Sequence, residues 1–182
     1  MDGPFYIDSR APHISADVAA VTLAATAKAL IPIANIPVLG SNYFSYIGKA
    51  VRITLHGRIT TGATPGNGTF SLYWGNGTDA NGTALASSGA ATLIANQTNL
   101  SWKMMLIARC RALGATGALM VVGSVTYNSA VVAANEIMIP ASAPVQTTVD
   151  LTAANVLSPQ YLRSGSTAET MQVHDVLYEA LN

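Results

Sequence analysis

Arg52, His56 and Arg58 lie close together in "KAVRITLHGRITTGATPGNGTFSLYWGNGT", positions 49 to 78, and their chemistry would suit either an active site or a polar strand face. Period-two alternation decides between these. Val51, Ile53, Leu55, Gly57 and Ile59 fall on one side, and Arg52, Thr54, His56, Arg58 and Thr60 on the other, the pattern of a half-buried strand. No carboxylate motif stands beside the three basic residues, so they read as a solvated or intersubunit face.

Other chemistry is sparse. The histidines at 13, 56 and 174 are isolated, without the local His or Cys pairs that zinc sites use, so no metal site is expected. Gly-x-Ser-x-Gly is absent, and no pair of the nine acids suggests a glycosidase. "GSNYFSYIGKA" has the wrong glycine spacing for a phosphate loop, and Ala50 follows the lysine where Ser or Thr is needed. Cys110 alternates with Met104, Leu106 and Ala108 and reads as a small buried hydrophobe. Asn-x-Thr/Ser triplets at Asn67, Asn76, Asn81, Asn96 and Asn99 follow from Asn-Gly turns and threonine-rich strands rather than from glycosylation. The chain is therefore expected to be no enzyme, with no catalytic, metal or cofactor-binding residue. Aromatic stacking is the remaining option. Trp74 and Trp102 fall on apolar faces and read as core, which leaves Tyr43, Tyr46 and Tyr73 as candidate exposed contacts.

The elements that position these residues are mostly strands. "TGATPGNG" supplies turn chemistry after the first strand, and "TFSLYW" places Phe70, Leu72 and Trp74 on one face, which predicts a hairpin. Leu100 to Cys110 forms a long alternating strand, linked at "GATG" in a second hairpin to a strand marked by Leu119, Val121, Val125 and Tyr127. Gly123 in that strand predicts a bulge or close packing. Val145 to Leu151 alternates again, and Asp175 breaks the phase of Met171 and Val173, predicting a bulge. "VTLAATAKALIPIANI" reads as an edge or irregular strand because of Pro32 and Pro37, and "LTAANVLSPQYLRSG" allows a helical turn before Pro159. About eight short strands with scarce helix signals predict an all-β, jelly-roll-like antiparallel β-sandwich. Residues 17–182 form this single domain; residues 1–16, with two prolines and the cluster Phe5-Tyr6-Ile7, read as an extended N-terminal arm that docks elsewhere.

Composition bounds the partners. Of 182 residues, 50% are hydrophobic and 10% charged, well below the usual charged share of about 25%. A chain this poor in charge is expected to bury much of its outside against copies of itself. Nine basic and nine acidic residues cancel and no basic cluster forms, which argues against nucleic acid. The start "MDGPFYIDSR" has no secretory character, and Lys28, Pro32 and Pro37 interrupt the longest apolar tract. Synthesis in the cytoplasm without a membrane anchor is expected.

The stretches "AVRITLHGRITTGATPGNGTFSLYWGNG", "LASSGAATLIANQTNLSWKMMLIARCRALGATGALMVVG" and "MQVHDVLYEALN" resemble structural proteins of tailed double-stranded DNA phages, particularly of actinobacterial hosts. The similarity covers about residues 47 to 182 and includes the run from Gly57 to Gly66 and the closing His174, Glu179, Leu181 and Asn182. The resemblance implies a jelly-roll module that assembles as a trimer on capsids or tail parts. It points first to a capsid decoration (cement) protein on the outer surface of the virion, bound to the major capsid protein, with Phe5, Tyr6 and Ile7 as capsid-contact arm anchors. A tail or baseplate subunit is the alternative, and a carbohydrate-binding receptor module using Tyr73 and the 43 to 46 loop belongs to a different class.

Overall fold

The structure, a computed structural model, describes residues 21–22, 26–76, 78, 81–128, 136–164 and 169–181. Among the described residues twelve strands run in the order β1 (Val21–Thr22), β2 (Lys28–Ala29), β3 (Ala50–Thr60), β4 (Asn67–Gly75), β5 (Thr83–Ser87), β6 (Ala91–Thr92), β7 (Leu100–Ala112), β8 (Gly117–Tyr127), β9 (Glu136–Ile139), β10 (Gln146–Val149), β11 (Val156–Arg163) and β12 (Thr170–Leu181). Among the described residues the only helical piece is a 3₁₀ turn at Ile33–Asn35.

The strands form two antiparallel sheets packed as a sandwich, as the sequence predicts. The larger has seven strands in the order β1-β12-β3-β7-β8-β10, with β9 also paired to β8; the smaller has five in the order β2-β11-β4-β5, with β6 also paired to β4. The strand count exceeds the expected eight partly because β1, β2 and β6 are two residues each. Short strands also share edges: β10 covers the first half of β8 and β9 the second, so a long edge is closed by two separate pieces.

Inward residues of both sheets make one core. Ile53, Leu55, Ile59, Met104, Leu106 and Val176 from the large sheet meet Phe70, Leu72 and Tyr161 from the small one, all essentially inaccessible. Phe70 sits at the centre of an aromatic group, with ring centroids 5.2 Å from Trp102, 5.7 Å from Tyr127 and 4.8 Å from Tyr161. Trp74 and Trp102 are both core, and the Trp74 indole N–H donates to the Asp150 carbonyl at 3.0 Å. Cys110 is buried with a free thiol, which burial pushes up from its ordinary pKa. At one end, Arg163 Nε meets Glu169 Oε2 at 2.7 Å, and the Glu169 side chain is wholly inaccessible.

Two local expectations hold. The link after β7 is a hairpin to β8, and the register of β12 on β3 slips between Val173 and Asp175, a bulge at His174. At Gly123 the reason for glycine is close packing, because a Cβ there would overlap the Met105 carbonyl oxygen; the bulge in this pair lies between Cys110 and Ala112 instead.

Two expectations are corrected. "TGATPGNG" does not close a hairpin: β3 pairs with β12 and β7, whereas β4 pairs in the other sheet, so the turn carries the chain across the sandwich. The segment around Pro159 is not a helical turn but β11, paired along its length with β4. The Pro159 carbonyl accepts from Leu30 N at 3.0 Å, so the missing proline N–H lies on the same side, toward β2, where pairing covers only Gln160 and Tyr161. The ladder to β4 therefore loses nothing.

Candidate interaction surface

Arg52, His56 and Arg58 stand on the outward face of β3, as alternation requires, and each is answered from β12 by a cross-strand neighbour. Arg52 donates through Nε to Glu179 Oε2 at 2.6 Å and through its terminal nitrogen to Glu179 Oε1 at 2.9 Å. His56 Nδ1 lies 3.2 Å from Asp175 Oδ2, and Arg58 donates twice to Gln172 Oε1 at 3.0 and 2.6 Å. The forked bond from Arg52 holds the Glu179 carboxyl below the usual carboxylate range, and the same bond raises the guanidinium.

The bulge at His174 builds this ladder. Met171 and Val173 point inward, and unbroken alternation would continue with Asp175 inward and Val176 and Tyr178 outward. The extra residue reverses the phase, so that Val176 and Tyr178 are buried while Asp175, Leu177 and Glu179 face out. Asp175 and Glu179 were missed as partners by the sequence reading; the broken phase at Asp175 was the signal that could have found them.

Further across the same face, cross-strand register fixes the neighbours. His56 pairs with Lys103 and Lys103 with Thr126, which faces Glu136. One row below, Leu177, Thr54, Met105, Ser124 and Met138 follow in order across five strands. Met105 is 40% and Met138 60% exposed, large apolar side chains at the middle and rim of an open sheet. Ile107 and Val122, paired in the next row, are half-buried. A shallow hollow of about 380 Å³ opens between His56, Lys103, Thr126 and His174. The result is an exposed face with apolar side chains at its centre and charged ones around them.

The small sheet presents a different exterior. Ser158 and Gln160 on the outward side of β11 are completely buried, and the Gln160 side-chain amide donates to the Thr78 carbonyl at 3.0 Å, so loop residues fold over that side.

The three candidate tyrosines do not converge. Tyr73 is half-buried on β4, between Ala84 and Ser158 in the small sheet. Tyr43 packs edge-on to Phe44 with ring centroids 5.2 Å apart, and Lys49 Nζ sits 4.1 Å over its ring. It borders a hollow of about 310 Å³ beside the C-terminal half of β12, shared with Val38, Leu39, Tyr178 and Glu179. Tyr46 is 43% exposed on the same loop, next to Ile47 at 64%. The Tyr178 hydroxyl is committed to the Leu157 carbonyl at 2.8 Å. Phe5, Tyr6 and Ile7, with the whole arm 1–16, lie outside the described residues.

Among the described residues no group of three His, Cys, Asp or Glu is placed to hold a metal ion, and no helix is long and apolar enough to cross a membrane. No protein-family model matches the chain, and the comparison with curated proteins found no match. Among solved structures, a legume lectin-like domain from Entamoeba histolytica aligns over 89% of this chain and 97% of its own, at 10% identity and a TM-score of 0.31. That likeness is too distant to bear on what the chain binds.

Proposed function

We propose that the protein is a structural virion subunit, a capsid decoration protein that trimerises on the outer surface of a phage head and stabilises the lattice. The sandwich is the body that sits on the shell, and the N-terminal arm, anchored by Phe5, Tyr6 and Ile7, reaches onto neighbouring subunits. The open outer face of the large sheet carries this reading: Met105 and Met138 lie exposed with charged side chains around them, which suits a face that spends its working life covered. Stabilisation follows from mass action. A subunit that binds only the assembled lattice adds its binding free energy to lattice stability, and three linked contacts multiply weak ones.

The first test is the mass of the purified protein in solution, expected at three times the 18.8 kDa of one chain. The second is co-sedimentation with capsids lacking the protein. The full chain is expected to bind and to raise the temperature at which the capsids open, and a chain lacking residues 1 to 16 is expected not to bind. A monomeric protein that ignores capsids and binds a glycan array through Tyr73 would overturn the proposal in favour of a receptor module; binding to tails alone would move the subunit to the tail.

A further inference from the structure

We propose that the outer face of the seven-stranded sheet receives the N-terminal segment Asp2 to Asp8 of a second copy of this chain. The inference rests on the self-associating reading above and adds to it the receiving surface and its occupant. Segregated charge carries it. Of the nine Lys and Arg residues, Arg52, Arg58, Lys103, Arg109 and Arg111 stand on this face, against Glu136, Asp175 and Glu179, which leaves two positive charges in excess. The first seventeen residues hold Asp2, Asp8 and Asp17 against Arg10, two negative charges in excess. The other six charged residues cancel, three against three, so the zero net charge of the chain is the sum of two opposed regions.

The apolar parts match as well. Phe5, Tyr6 and Ile7 lie between Asp2 and Asp8, and on the face Met105 lies between the rows that carry Lys103 and Arg52, with Glu136 at the far rim beside Met138. Three extended residues cover about 10 Å, and the two strand intervals from Met105 to Met138 cover about the same distance. The hollow beside His56 and Lys103 gives an aromatic ring a place to enter. Chain length allows the crossing. Val21 pairs with Met171 at the rim of the sheet, and the fourteen residue-to-residue steps from Ile7 to Val21 span up to about 46 Å when extended, roughly the diameter of one domain of this size. Around a three-fold axis, each arm laid on the next copy closes a ring with no face left over.

Disulfide trapping tests this with full-length chains. Chains carrying Tyr6→Cys and one affinity tag are mixed with chains carrying Met105→Cys and another tag, then oxidised; Cys110 is buried and stays out of the reaction. An inter-chain disulfide is expected, at least about tenfold more abundant than with a Tyr73→Cys partner on the other sheet. Lys103→Glu is expected to weaken self-association about fivefold, and Asp8→Lys in the same chain to restore it. A disulfide found only within single chains carrying both cysteines, equal trapping at position 73, or no rescue by Asp8→Lys would overturn the inference. Capsid binding without inter-chain trapping sinks this inference and leaves the decoration reading standing; trapping without capsid binding does the reverse.

Discussion

Glu169 shows what a single side chain holds in this fold. It is fully enclosed, its charge balanced by Arg163 at 2.7 Å, and removing one member of such a pair leaves the other buried without its counter-ion. Glu169→Gln is expected to lower unfolding free energy by about 3–5 kcal/mol, measured by urea denaturation. Glu179 lies at the other extreme, since its pair with Arg52 is partly exposed and screened by solvent. Its influence is best seen through pH. Because Arg52 depresses the folded-state pKa, the stabilisation is present above the ordinary value of 4.5 and is lost as pH falls through the lower folded value. Glu179→Gln should therefore melt below wild type near neutral pH, and the gap should close as the solution is taken well below pH 4.5. An equal gap at every pH would mean that the pair contributes nothing as an ion pair.

Among the elements, β12 depends most on its phase. Deleting His174 would remove the bulge and leave Val176 and Tyr178 inward in their present register, so cooperative thermal unfolding is expected to survive it, whereas deleting Leu177, beyond the bulge, would turn Tyr178 out of the core and is expected to abolish cooperative unfolding. Circular dichroism melts separate the two. This bulge was legible in the sequence because the strand has one wet face, and a change of phase on such a strand leaves a visible mark at Asp175. The alternation of β3 and β7 was legible for the same reason. In contrast, β11 is covered on both sides, with Ser158 and Gln160 as inaccessible as Leu157 and Tyr161, so no alternation survives and Pro159 was the loudest signal left. The turn after β3 announced a reversal of the chain, but turn chemistry says nothing about which sheet the chain enters next. The ladder from Arg52 to Arg58 was half legible: its own strand could be read locally, but the partners from β12 come from more than a hundred residues away.

For the molecule as a whole, the buried tyrosines set an upper pH limit. Burial raises the pKa of Tyr127, Tyr161 and Tyr178 above the ordinary 10.0. The stabilisation they give is complete below pH 10 and declines as pH rises from there toward the folded values, because the unfolded chain alone releases those protons. Alkaline unfolding should thus coincide with a late burst of tyrosinate absorbance, and ionisation of all seven tyrosines before any loss of structure would contradict the burial.

The pairing of β3 with β12 also bears on how the molecule comes into being. Arg52 and Glu179 are separated by 127 positions, and β3 is the second strand in from that edge of the large sheet. One side of β3 therefore lacks its neighbour until nearly all of the domain has left the ribosome, and closure of so long a loop places folding among the slow, millisecond-to-second class. During that interval the nascent chain presents a bare apolar edge, so yield on expression should be governed by chaperone supply and temperature more than by the final stability of the subunit.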